Sequence, residues 1–160
     1  MSAVLRPGTG DVRRMREEDL REVLRIERDA YPFPWTNGVF RDCLRVGYGC
    51  WVREYEGRLA GYLIQSVAAG EAHVLNLCVD PALHRQGLGR ELLEHGLYTA
   101  ARLGAETVFL EVRPSNRAAV RLYERLGFGE VGIRPGYYPQ PGGRREDAMI
   151  LARILMLPER

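Results

Sequence analysis

The sequence predicts an α/β fold of the α+β kind: a mixed central sheet of about seven strands, parallel in its middle, flanked by about four helices. Two observations carry that expectation. Segments with strand-like patterning alternate with segments of helical period, with no internal repeat and no low-complexity linker. In the second half the order is strand, helix, strand, helix, strand. A strand, a crossover helix and a further strand make parallel neighbours, whereas hairpins make antiparallel edges. The length of 160 residues suits one domain, 1–160, with a real core.

The elements follow in order. "EEDLREVLRIERDA" sets Leu20, Val23, Leu24 and Glu27 at helical spacing, which predicts an amphipathic helix near 17–29 with Leu20 and Leu24 inward. "TNGVFRDCL" reads as a shorter helix capped by Thr36. "GCWVREY" and "RLAGYLIQSVA" form a hairpin across an "EG" turn, and "AHVLNLCVD" is a third strand closed by Asp80 and Pro81. From Leu88, the spacing of Leu92, Leu93, Leu97, Ala100 and Ala101 marks a helix that Gly104 ends in a left-handed cap. "ETVFLEV" is a strand. "SNRAAVRLYERLG" is a helix capped by Ser115 or Asn116 and stopped at Gly127. The remainder reads as two strands joined by a Pro- and Gly-rich loop.

Composition excludes several classes. Apolar residues make up 46% and charged residues 28%, the balance of an ordinary soluble globular chain. No apolar run approaches the ~18 residues of a membrane span, and "MSAVLRPGTGD" lacks the apolar core of a signal peptide, so the expected location is the cytoplasm. The net charge is only +2 with basic residues spread along the chain, which argues against direct nucleic-acid binding. All 23 basic residues are arginine, so a Schiff-base or lysine-nucleophile mechanism is excluded. Cys43, Cys50 and Cys78 form no C-x-x-C pair and read as buried free thiols. His73, His84 and His95 have no metal-ligand spacing, His95 falling on a mainly polar helix side, and no metal is assigned.

"HRQGLGREL" at 84–92 lies between a strand and a long helix. There the amides of Gln86, Gly87, Leu88, Gly89 and Arg90 converge on a helix N-terminus, an arrangement that favours an anion. By itself the pair of glycines serves a phosphate cradle or a plain tight turn equally well. It is neither a Walker loop, since no Gly-Lys-Ser/Thr follows, nor a dinucleotide fingerprint, since the third glycine is missing.

At this point the chain resembles the GNAT superfamily of N-acetyltransferases, whose acetyl-CoA signature [Q/R]-x-x-G-x-[G/A] here reads His84-Arg85-Gln86-Gly87-Leu88-Gly89. Histidine replaces the usual first residue, which removes one side-chain contact and leaves the backbone cradle. The resemblance covers nearly the whole chain and implies acetyl-CoA as cosubstrate. Its pyrophosphate would lie on residues 86–90, with Arg85 also in the cofactor site, and its pantetheine arm would run beside Leu77, Cys78 and Val79. "YPFPWT", "LEVRPSNRAAVRLYERLGF" and "GYYP" with "GRREDAMIL" look like the RimI-type branch, enzymes that acetylate the N-terminal alanine of a small-subunit ribosomal protein. That resemblance implies a substrate groove between the 31–36 loop and a 134–146 hairpin loop. Tyr137 and Tyr138 read as strand-end aromatics or, on a Pro- and Gly-rich loop, as a peptide-binding rim; of the first loop's aromatics Tyr31 suits the groove and Trp35 the core.

Acyl transfer from a thioester to an amine needs an unprotonated amine, a polarised carbonyl and a proton for the departing thiolate. Glu111 is a carboxylate in the apolar strand "VFLEV", on the face of Phe109 and Arg113; it reads either as a partner for Arg113 or another arginine, or as a general base. The RimI-type resemblance favours the base. Tyr123 falls seven residues after Asn116, on the same helix side, and reads as core packing unless the resemblance applies. With it, Asn116 binds pantetheine, Tyr123 is the general acid, and the Val79 N–H polarises the carbonyl. Rival readings are acetylation of other protein N-termini, a lysine or a small amine, and a CoA-binding regulatory subunit docked to a larger complex.

Overall fold

The computed structural model describes residues 11–155; the leader reading of the first ten residues and the terminal "MLPER" lie outside the described residues. A sheet of seven strands forms the centre: β1 (Val12–Arg14), β2 (Gly49–Tyr55), β3 (Arg58–Ala68), β4 (Glu71–Val79), β5 (Thr107–Val112), β6 (Gly129–Pro139) and β7 (Arg145–Ile154). Four helices flank it: α1 (Leu20–Ala30), α2 (Asn37–Arg45), α3 (Leu88–Arg102) and α4 (Arg117–Arg125). The strand order is β1-β2-β3-β4-β5-β7-β6, parallel only between β4 and β5. This is the mixed sheet with a parallel centre that the crossover through α3 requires. β1, three residues long, is the strand that no periodicity announced.

Strand alternation sorts the core into two layers. On one face Leu63, Val74, Val108, Leu110 and Leu151 pack under Leu92, Leu93, Leu97 and Ala100 of α3 and Tyr123 of α4. On the other, Val52, Tyr62, Ile64 and Cys78 pack under Leu20, Val23 and Ile26 of α1 and Phe40 of α2. The α1 face differs from expectation at one position: Leu24 is only half-buried, and Ile26 joins Leu20, Val23 and Glu27 on the inner side. His95 is also corrected, because its ring stacks edge-on against Trp51 at 4.3 Å, facing the sheet rather than a polar surface.

Local chemistry sets the boundaries. Thr36 Oγ1 accepts from Val39 N, capping α2, and Asn116 Oδ1 accepts from Ala119 N, capping α4. Glu56 and Gly57 both have positive φ, as a two-residue hairpin turn of the primed type demands. All three cysteines are buried free thiols.

Two irregularities shape the site. Ile64 pairs with Asn76 but Gln65 pairs with Val74, so Leu75 is an extra residue in β4. Such a bulge bends its strand. The parallel pairing of β4 with β5 runs only from Glu71↔Thr107 to Val74↔Leu110, and beyond it the two strands part. Further on, β6 continues through Pro135 and Gly136 to Pro139, with a register shift between Arg134 and Tyr138. The expected 134–146 loop is therefore shorter: its first part is bulged strand that still pairs with β7, and the connection is residues 140–144.

Candidate active site

Where β4 and β5 part, a cleft of about 270 Å³ opens. Tyr31, Phe33 and Trp35 from the α1–α2 loop, Leu77 from β4, Glu111 from β5, and Asn116 and Tyr123 at α4 line it, with Tyr138 across the mouth. Residues scattered over more than a hundred positions meet because the split exposes both faces of the sheet at one point. Leu110 and Tyr123 reach the split from the α3–α4 side, and Glu111 stands on the alternate face of β5.

The carboxylate of Glu111 meets Arg134, whose Nε donates to Oε1 at 3.1 Å. The sequence offered Arg113 or another arginine as partner, and Arg134 is the one. Arg113 is engaged elsewhere: it donates to Glu146 Oε1 at 3.3 Å and to Pro139 O at 3.0 Å, and its guanidinium lies 4.4 Å from the centre of the Tyr138 ring. Glu146 also accepts from Ser115 N, Ser115 Oγ and Gln140 Nε2, so one carboxylate ties the β6–β7 hairpin to the start of α4. Those donors and Arg113 hold its carboxyl below the ordinary glutamate range against the opposing effect of burial.

Tyr123 is buried and packs edge-on against Phe128 at 5.9 Å. Burial pushes its phenol well above the ordinary tyrosine value, so it keeps its proton throughout the neutral range. Tyr138 is raised as well, to about 12, first by burial and then by the charge of Glu111. Tyr137 is exposed beside Arg134 and does not line the cleft. Tyr31 does, and its hydroxyl donates to Leu77 O at 3.2 Å.

The edge of β4 is half as expected. Asp80 N bonds to Ala60 O, so by ladder alternation the amides of Leu77 and Val79 turn away from β3 toward the split. Leu77 O takes Tyr31, and Val79 O lies 3.1 Å from His84 Nε2. His84, the odd first residue of the glycine motif, thus ties that loop back to the end of β4. Cys78 points the other way, its thiol buried against α1 and pushed up to about 11 by burial.

The glycine motif forms the N-terminus of α3. Gly87 is its cap residue at φ 77°, a left-handed conformation glycine adopts without strain, and no side chain caps the helix. The first intrahelical bond runs from Glu91 N to Gly87 O, so the N–H groups of Leu88, Gly89 and Arg90 precede the ladder. A Cβ on Gly87 would meet nothing within 4 Å; one on Gly89 would lie 3.5 Å from Leu122 and Val79. An uncapped, open helix end of this kind fits a phosphate. The side chain of Leu88 is buried in the core, Arg90 pairs with Glu94 at 2.6 Å, and Arg85 and Gln86 are exposed. Among the described residues no group of three or more His, Cys, Asp or Glu is placed to hold a metal, and no helix is long and apolar enough to cross a membrane.

Sequence reasoning passed over Glu27. It is 2% exposed, and its carboxylate accepts from Tyr62 Oη at 2.5 Å, Asn76 Nδ2 at 3.0 Å and Trp35 N at 2.9 Å. The one available signal was its place on the inner face of α1.

A split sheet with a glycine cradle at a helix N-terminus is the architecture of an acyl-CoA-dependent transferase, and comparison with known proteins agrees. Residues 15–128 match the Acetyltransferase (GNAT) family, and the chain belongs to that family of acetyl-CoA-dependent N-acetyltransferases. It is 44% identical over 134 residues to the [ribosomal protein bS18]-alanine N-acetyltransferase of Escherichia coli strain K12, covering 84% of this chain and 90% of that protein. The protein of the same name from Haemophilus ducreyi is 34% identical over 139 residues, covering 87% and 96%. Among solved structures, the Escherichia coli ribosomal-protein-S18-alanine N-acetyltransferase superposes with a TM-score of 0.84 at 40% identity, covering 93% of this chain and 96% of that one. Ard1 of Thermoplasma volcanium superposes at 0.82 with 26% identity, covering 94% and 99%.

Proposed function

We propose that this chain is one acetyltransferase domain that moves the acetyl group of acetyl-CoA to the α-amine of an N-terminal alanine, its acceptor a small-subunit ribosomal protein in the cytoplasm. The observation that carries the acceptor is the 44% identity, over most of both chains, to a protein named for that reaction. Bound acetyl-CoA supplies the activated acetyl group. The N–H groups of residues 86–90 and the positive end of α3 hold its pyrophosphate, with Arg85 at the rim. Leu77 and Val79 offer their strand edge to the pantetheine amides, while the expected Cys78 between them is turned to β3 and α1, and Asn116 offers its amide nitrogen, its oxygen being committed to the α4 cap.

Glu111 accepts the proton of the attacking amine, directly or through water. The C–N bond forms as the C–S bond breaks, the Val79 N–H polarises the carbonyl, and Tyr123 Oη gives its proton to the departing sulfur. Tyr31 and Tyr138 border the groove the acceptor enters. Two features suit an α-amine. With a pKa of ~7.7 to 8.0 against ~10.4 for lysine, it is unprotonated roughly a few hundredfold more often near neutrality. The cleft is also bordered by the α1–α2 loop on one side and the end of β6 on the other, and a chain end enters such a groove more readily than the middle of a folded chain. Mass analysis of the protein incubated with acetyl-CoA and peptides beginning Ala-Arg tests the reading; a product acetylated at the α-amine is expected, and acetylation confined to a lysine overturns it.

A further inference from the structure

Glu27 holds both ends of the loop that borders the acceptor groove. Its backbone oxygen accepts from Tyr31 N at 3.0 Å, where α1 ends, and its side-chain Oε2 accepts from Trp35 N at 2.9 Å, where α2 is about to begin. Its other oxygen is fixed from the sheet, by Tyr62 Oη of β3 and Asn76 Nδ2 of β4. Three neutral donors converge on a carboxylate that is almost wholly buried and lines the cleft. Burying a carboxylate is costly, and an apolar residue would serve a helix face more cheaply. What the carboxylate provides is acceptor capacity on both oxygens, which lets one side chain bridge the bulged part of β4 and the loop.

We propose that Glu27 is the positioning residue of the acceptor site: it sets the 31–36 loop, and with it Tyr31, Phe33 and Trp35, against β4, so that it governs acceptor affinity while leaving acetyl-CoA binding and the proton transfers untouched. The inference rests on the N-terminal acetyltransferase reading for the identity of the acceptor, not for the loop's attachment. Tyr31 is held at its far end by Leu77 O, so the loop has two anchors on β4, one direct and one through Glu27. The phosphate cradle at 86–90 shares neither, and of Leu77 it is the carbonyl, already bonded to Tyr31, and not the free amide, that serves as anchor.

Two variants separate this from a plain stabilising role. In Glu27→Gln the amide oxygen still accepts from Trp35 N, while its nitrogen donates to Tyr62 Oη, which both donates and accepts, and to an Asn76 amide turned over. In Glu27→Asp the carboxylate is kept but is one methylene too short to span from β3 and β4 to the loop. The expected result is an acceptor-peptide KM raised about tenfold by Glu27→Asp, the scale of one lost hydrogen bond in a binding equilibrium. Glu27→Gln should lie within about threefold of the parent, and the acetyl-CoA KM should be unchanged in both. Hydrogen exchange of the Trp35 amide gives a readout without turnover: slow in the parent and Glu27→Gln, fast in Glu27→Asp. A loss confined to kcat, an equal loss in acetyl-CoA affinity, or peptide KM and Trp35 exchange both unaltered in Glu27→Asp overturns the proposal. So does an unprotected Trp35 amide in the parent protein, which needs no variant to fold. If the parent acetylates a different amine, the acceptor assignment fails while the exchange result still decides the role of Glu27.

Discussion

Glu111 Oε1 and Arg134 Nε stand 3.1 Å apart, joining β5 to the edge strand β6 at the mouth of the cleft. The arginine side chain is 53% exposed, so the pair adds little stability, typically under ~1 kcal/mol. A structural and a catalytic role for Glu111 therefore part in experiment. Glu111→Gln should leave the melting temperature within a few degrees of the parent and lower kcat by about 10²-fold at pH 7. Partial recovery is expected at higher pH as more amine sheds its own proton. A large fall in melting temperature with undiminished kcat in the folded fraction would return Glu111 to a purely structural part.

Tyr123→Phe keeps the ring against Phe128 and removes one hydroxyl. Because burial holds that phenol protonated well beyond the ordinary tyrosine range, the acid form is present throughout a neutral assay. The variant should lose kcat by about 10²-fold at every pH from 6 to 9, with no change of profile shape. A loss that appears only on the alkaline side would contradict this.

The α3 cradle is tested by binding. CoA should raise the melting temperature of the parent by preferential binding to the folded state. Gly87→Val places a side chain at φ 77° in open space, at a strain cost of about 1–2 kcal/mol, and in the path of an anion approaching the helix end. It should fold with a lowered melting temperature and show no CoA shift. An undiminished shift would put the cofactor elsewhere.

His95 gives a stability prediction independent of catalysis. Burial first, and the charge of Arg14 second, lower its pKa below the ordinary 6.5. A group whose folded pKa is depressed binds its proton more readily when unfolded, so stability is full above about pH 6.5 and falls as the pH drops toward the folded value. The melting temperature should fall between pH 7 and 5.5. His95→Phe, which keeps the contact with Trp51, should flatten that slope, and an unchanged slope would assign it to other groups.

How much of this was legible in the sequence follows from the range of each interaction. The glycine turn into α3, the Thr36 cap and the "EG" turn depend on neighbours a few residues away and could be read directly, whereas the α4 cap was left between Ser115 and Asn116 and the glycines alone did not separate a phosphate cradle from a plain turn. Glu111 stood out because a carboxylate in an apolar strand has few explanations, and the sequence anticipated an arginine partner without fixing which arginine. Glu27 was not, since its partners Trp35, Tyr62 and Asn76 lie 8, 35 and 49 residues away and helical spacing registers it as one more inward position. The bulge at Leu75 left no mark either. It inserts one residue into a strand whose apolar pattern stays intact, yet it accompanies the parting of β4 from β5 that makes the cleft. The length of β6 was misread because Pro135 and Gly136 signal a loop, and an edge strand tolerates both.

The central claim is that an N-terminal α-amine is the acceptor. Two peptides beginning Ala-Arg, one with a free N-terminus and one blocked but carrying a lysine, compete for acetyl-CoA in one reaction with the parent protein, and product is read by mass. The account predicts acetylation of the free α-amine in large excess, with the blocked peptide nearly untouched. Preferential acetylation of the lysine would contradict it.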